Sequence, residues 1–140
     1  MKLTKNFSLN ELVHPKFLVI HGEQCADFLH YRLAYTLQKI RDQFGRITVN
    51  GKMGEKVFTN SGLRLPHSRI GAKNSRHKQG VVADCKFYDA TPIKVQKYLL
   101  EHQDDFPYIV RMEDAKITKT WLHVEVGKRP LGQKIKVFKP

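Results

Sequence analysis

The sequence predicts an α+β fold: a single domain over residues 1–140 with a small antiparallel sheet packed against helices. Three observations lead there. Helical periodicity dominates the N-terminal third, short apolar strand-like runs dominate the second half, and the order of elements is helices, strands, helix, strands. At 140 residues and 41% hydrophobic composition, the chain is long enough for one real core and too short for two ordinary domains. It carries no internal repeat and no low-complexity tract.

Ser8 followed by Glu11 is a capping-box pattern, so a short helix is expected near residues 9–13, stopping before Pro15. The clearest helix is expected over residues 23–44, where Cys25, Leu29, Leu33, Leu37, Ile40 and Phe44 recur at helical spacing and Gly45 ends the run. Ile47-Thr48-Val49 and Val57-Phe58-Thr59 read as strands joined by a turn at Asn50-Gly51. From Ser61 to Gly80 the chain is polar and loop-like, and a loop that long in a compact domain is more often functional than idle. Val81–Phe87 reads as a strand. Thr91 as N-cap and Pro92 at the first helical position open a helix that ends near Asp104. Tyr108–Val110 and Trp121–Val126 are strands, and Ile135–Phe138 an edge strand.

Lys and Arg number 25 against 13 Asp and Glu, a net charge of +12. Such a field attracts anionic polymers: nucleic acid, teichoic acid, lipopolysaccharide or peptidoglycan carboxylates. The basic residues are scattered from Lys2 to Lys139, with no compact arm, recognition helix or stacking motif, so nucleic acid ranks last among the partners. The two cysteines, Cys25 and Cys85, form no disulfide framework and read as buried free thiols. No apolar segment follows the N-terminal Met1–Asn6, and no stretch approaches the roughly 20 apolar residues of a membrane span. The expectation is a protein made in the cytoplasm without a signal peptide and delivered elsewhere by other means.

The chemistry concentrates in two segments, Ser75–Asp84 and Trp121–Glu125. His77 falls on a loop just before a strand, Asp84 inside that strand, and Gly80 permits a tight turn between them. His123 sits on a second strand. Two imidazoles and one carboxylate make a catalytic type of zinc set with a fourth position left for water, which the ion makes acidic enough to attack an amide. A lone histidine beside a strand is more often a satisfied surface or core residue than a ligand. Asp84 says more, because it interrupts the apolar run Val81-Val82-Ala83 and a buried carboxylate needs a partner or a metal.

The pattern Ser75-x-His77-x-x-Gly80-x-x-Ala83-Asp84, followed by Trp121-x-His123, resembles the zinc D-Ala-D-Ala carboxypeptidases and L-alanyl-D-glutamate endopeptidases, including phage endolysins that cut peptidoglycan stems. Asn60-Ser61-Gly62-Leu63-Arg64 resembles the same family's Ser-Gly-Tyr-Arg segment, with Leu63 in the tyrosine place. The resemblance covers roughly residues 7–126 and implies a Hedgehog/DD-peptidase-like fold. It implies Zn2+ held by His77, Asp84 and His123, with Arg64 steadying substrate and developing oxyanion. Ser75 becomes a structural hydrogen-bonder. The implied partners are peptidoglycan and, for a virion-borne protein, other virion proteins. One departure stands out: many members place the catalytic Asp or Glu three residues before the last histidine, where this chain has Thr120. The remaining carboxylates are Glu113, Asp114 and Glu125. Glu113, closing the strand before the hairpin to Trp121, is preferred as the base because it can reach the site across the ladder. Asp114 reads as a surface carboxylate, His67 as a solvated loop residue, and Trp121 as a packing residue that orients the His123 strand. His14, His21, His30 and His102 match no motif.

The expected activity is therefore zinc-dependent hydrolysis of a peptide bond in the peptidoglycan stem, by a phage lysis enzyme or a virion-associated wall hydrolase. The alternative is a non-catalytic, zinc-containing structural or wall-binding module that has lost its catalytic carboxylate at Thr120.

Overall fold

A computed structural model describes residues 1–140. In chain order the helices are α1 (Leu9–Leu12), α2 (Pro15–His21), α3 (Tyr31–Phe44) and α4 (Pro92–Glu101). The strands are β1 (Ile47–Thr48), β2 (Gly51–Met53), β3 (Lys56–Phe58), β4 (Val82–Phe87), β5 (Ile109–Glu113), β6 (Leu122–Val126) and β7 (Lys136–Phe138). A five-stranded sheet runs β1-β4-β6-β5-β7, and β2 and β3 form a separate hairpin. The α+β class is as expected, but the sheet is mixed: β7 joins the edge parallel to β5. No helix is long and apolar enough to cross a membrane.

Strand alternation builds the core. Ala83, Cys85 and Phe87 of β4 and Leu122, Val124 and Val126 of β6 bury one face of the sheet. Leu33, Leu37 and Ile40 of α3 and Val95 and Leu99 of α4 join them in the same cluster. The opposite face of the same strands presents Asp84, Lys86, His123 and Glu125. β5 joins this arrangement through a bulge: Ile109 pairs with Val126, but Arg111 pairs with Glu125 and Met112 with Val124. The extra residue lets both Ile109 and Met112 bury in the core while Arg111 and Glu113 fall on the polar face.

Two local expectations are corrected. Residues 23–44 are not one helix. Gly22–Phe28 form 3-10 turns, Leu29 and His30 are extended, and α3 starts only at Tyr31, where His30 Nδ1 accepts from Arg32 N at 3.2 Å. The apolar periodicity survives the break because both pieces bury apolar residues, though in different clusters: Cys25 packs with Leu9, Val13, Phe17 and Leu63. The break also fits Gly80 against the chain, since a Cβ there would lie 1.9 Å from Phe28 O, and its φ of +69° is a glycine conformation. Likewise Asn50-Gly51 is not the hairpin turn. Gly51 begins β2, the turn falls at Gly54-Glu55, and buried Asn50 braces the long loop by accepting from Ser61 N through Oδ1 at 2.9 Å. The helix over Pro15–His21 went unanticipated; its N-cap is His14, an unusual residue for that role. Cys25 and Cys85 are buried and free.

Candidate metal centre

The loop from residue 60 to 80 is tied down by its backbone. Leu63 N donates to Leu12 O at 2.7 Å, His14 N to Leu63 O at 2.9 Å, Arg64 N to His77 O at 3.1 Å, and Asp84 N to Ser61 O at 2.8 Å. The Leu12 contact passes so close to Gly62 that a Cβ there would lie 2.2 Å from the Leu12 oxygen. These bonds hold His77 over the polar face of β4. Ser75 Oγ accepts from His77 N at 3.3 Å and caps the 3-10 turn Arg76–Gln79 that carries the histidine.

One donor atom from each of His77, Asp84 and His123 lies within 4.8 Å of the others, so the group can hold a metal ion. Asp84 and His123 face each other directly across the β4–β6 ladder. His77 Nδ1 lies 3.0 Å from Gly62 O, which only accepts, so Nδ1 carries a proton, and Nε2 faces Asp84 Oδ2 at 3.3 Å. His123 Nδ1 lies 2.8 Å from Asp84 Oδ1 and 2.8 Å from Glu113 Oε1. A single N–H cannot point along both directions. At His123 two carboxylates thus compete for one proton, a conflict that a bound cation would relieve.

Electrostatics agree. Burial pushes the Asp84 pKa up, but hydrogen bonds from His123 and His77 outweigh it and hold the carboxyl well below the usual range. Burial pushes the His123 pKa down, and the bonds to Asp84 and Glu113 overcome this and lift it to about 9. Without metal, an imidazolium therefore occupies the charge position between two carboxylates. Arg64 is pinned by Nε to Asn60 O at 2.7 Å and by Nη1 to Ile70 O at 3.0 Å, which leaves Nη2 directed at the centre, 3.8 Å from Asp84 Oδ2.

The other carboxylate on the His123 strand sits differently. Glu125 is 1% exposed and lies between two guanidiniums, Arg76 Nε at 2.8 Å and Arg111 Nε at 2.6 Å, the latter an ion pair without an aligned hydrogen bond. Its Oε2 is 3.9 Å from His123 Nε2. Two arginines hold it behind the histidine rather than at the centre.

The structure thus brings His77, Asp84, His123, Glu113 and Arg64 to one place. It does not bring in Asp114, which receives the backbone N–H of Lys116 at a turn, nor His67. In comparisons with known proteins, no family model, curated protein or solved structure matches the chain. Trp121 was expected as a packing residue that orients the His123 strand. It is 36% exposed and lines a concavity of about 510 Å³ beside Asp84, with Thr120, Met53, Lys56, Phe58, Ser61 and Lys86. Sequence reasoning overlooked Lys86, Arg76 and Arg111. Lys86 was detectable, since a strand places it on the same face as Asp84 two residues earlier. The arginines were not, because their meeting with Glu125 depends on the β5 bulge and on the course of the loop.

Proposed function

We propose that the protein is a zinc-dependent peptidase that cleaves a peptide bond in the peptidoglycan stem, acting as a phage lysis enzyme or virion-borne wall hydrolase. The observation that carries this reading is the meeting of the His77–Asp84–His123 donor set with one unclamped carboxylate, Glu113, and one aimed guanidinium, Arg64. Two imidazoles and a carboxylate suit zinc. The motif resemblance supports the stem as substrate, and the +12 charge suits an anionic wall.

In this reading His77 Nε2, Asp84 and His123 Nδ1 hold the ion. The ion supplies Lewis acidity, which makes water acidic and polarises an amide carbonyl. Glu113 Oε1 takes the proton from the attacking water and delivers it to the leaving amine. Arg64 Nη2 offers a fixed, water-poor donor to the oxygen that gains charge. Glu125, with its two arginines, holds the far side of the His123 ring in place.

The test is digestion of purified peptidoglycan sacculi. The expected result is new free amino groups, abolished by chelation and restored by zinc. A protein that binds zinc and sacculi but releases no amino groups overturns the peptidase reading in favour of a wall-binding module.

A further inference from the structure

Lys86 is a buried cation that the metal centre does not use. It is 5% exposed, and its Nζ donates to Val49 O at 2.5 Å, Ser61 Oγ at 2.7 Å and Asp84 O at 3.1 Å, with the Phe58 ring centroid 4.0 Å away. All of these partners are neutral. Asp84, the acidic residue on the same strand face, directs its carboxylate at the two histidines. An ammonium buried with only neutral hydrogen-bond partners is costly, and it projects positive potential into an adjoining cavity.

That cavity is the concavity lined by Met53, Phe58, Ser61 and Trp121, with Lys56 and Lys86 on its wall against the single acidic lining residue, Asp84. Ser61 links the two. Its Oγ accepts from Lys86, so its own hydroxyl proton remains free to donate, polarised by the charge behind it. Its backbone is held on both sides, N–H to Asn50 Oδ1 and carbonyl to Asp84 N. Phe58 and Trp121 supply apolar walls, and exposed Lys56 adds a second cation.

We propose that this concavity is a carboxylate-binding subsite: the Ser61 hydroxyl, backed by Lys86, receives a carboxylate of the substrate residue flanking the scissile bond, and Phe58 and Trp121 hold that residue's carbon body. The subsite rests on the peptidase reading for its substrate but not for its test. The ligand is a peptide carboxylate, either a chain terminus or a side branch.

Trp121 is the only tryptophan, so intrinsic emission reports occupancy. The purified full-length chain, with and without added zinc, is titrated with a stem tripeptide and with the same peptide carrying carboxamides in place of all its carboxylates. Two further peptides keep only the terminal or only the branch carboxylate. The expected result is a saturable emission change in which the acid binds at least tenfold more tightly than the amide, the scale of one charge-assisted hydrogen bond. One of the two single-acid peptides retains the preference and so identifies the source. Ser61→Ala, a small change in a residue with a fixed backbone, abolishes the preference with an unchanged circular dichroism spectrum. Equal binding of acid and amide, no emission change, or an undiminished preference in Ser61→Ala overturns the subsite. Each arm is read without hydrolysis, so an inactive protein that keeps the acid preference sinks the peptidase reading alone.

Discussion

The two faces of the β4–β6 ribbon differ in kind although they alternate along the same ten or so residues. The helix-facing side holds Ala83, Cys85, Leu122 and Val124, all completely buried. It is complete as it stands, because apolar groups need only one another. The other side holds Asp84, Lys86, His123 and Glu125, joined by Glu113 and Arg111 from β5. There the charges are satisfied unequally. Glu125 has two arginines, whereas Asp84 and Glu113 share one imidazole nitrogen. One side is a device for stability. The other could hold a cation, and the difference shows which substitutions should unfold the protein and which should leave it folded.

The largest expected effect is functional. Glu113→Gln preserves shape and removes the ionisable group, so turnover on sacculi should fall by about 10²–10⁴-fold with the fold intact. Near-normal turnover in this variant would remove Glu113 from the mechanism. The contrast on the helix side is Leu122→Ala, which leaves a cavity in the core and should cost about 2–5 kcal/mol in chemical denaturation, while the folded protein still takes up one metal ion. Loss of metal uptake by folded Leu122→Ala would mean that the two faces are not separable.

Glu125→Gln sharpens the comparison of the two carboxylates. It strips the charge from a clamp of two partly exposed arginines, which can rehydrate in part. The expected cost is about 1.5–3 kcal/mol of stability, with turnover reduced far less than in Glu113→Gln. If Glu125→Gln is the dead variant and stable, the base lies on the ligand's own strand.

A smaller effect concerns pH. In the metal-free protein His123 stays protonated up to about pH 9, and a metal bound there would have to displace that proton. Apparent zinc affinity should therefore rise about tenfold per pH unit between roughly pH 6.5 and 9, the slope of one released proton. The same shift governs metal-free stability with the opposite sign. A raised folded-state pKa contributes stability that is complete below the unfolded value near 6.5 and is lost as pH rises through about 9. Asp84, whose pKa is lowered, contributes above its unfolded value and loses that contribution as the solution is acidified. Zinc affinity independent of pH over this window would show that His123 is not a ligand.

Much of this was legible in the sequence because strand alternation translates spacing directly into faces. Asp84 inside an apolar run and His123 between Leu122 and Val124 could only point away from the core. The capping box at Ser8 and the Thr91-Pro92 start were equally local, and both helices begin there. What stayed hidden depends on tertiary geometry. The break at Leu29-His30 follows from Gly80 approaching Phe28 O, not from any breaker in residues 23–44. Glu113 was expected to reach the site across the ladder, but the β5 bulge that brings it beside His123 and the parallel placement of β7 leave no local signature. The ring of Trp121 also forms a wall of a concavity, which no local pattern around it announces.

Whether the polar face holds a metal ion is read from the metal content of the purified native protein. The expectation is close to one zinc per chain, lost in His77→Ala and retained in Glu113→Gln. A native protein that carries no metal and takes up none from added zinc would contradict it.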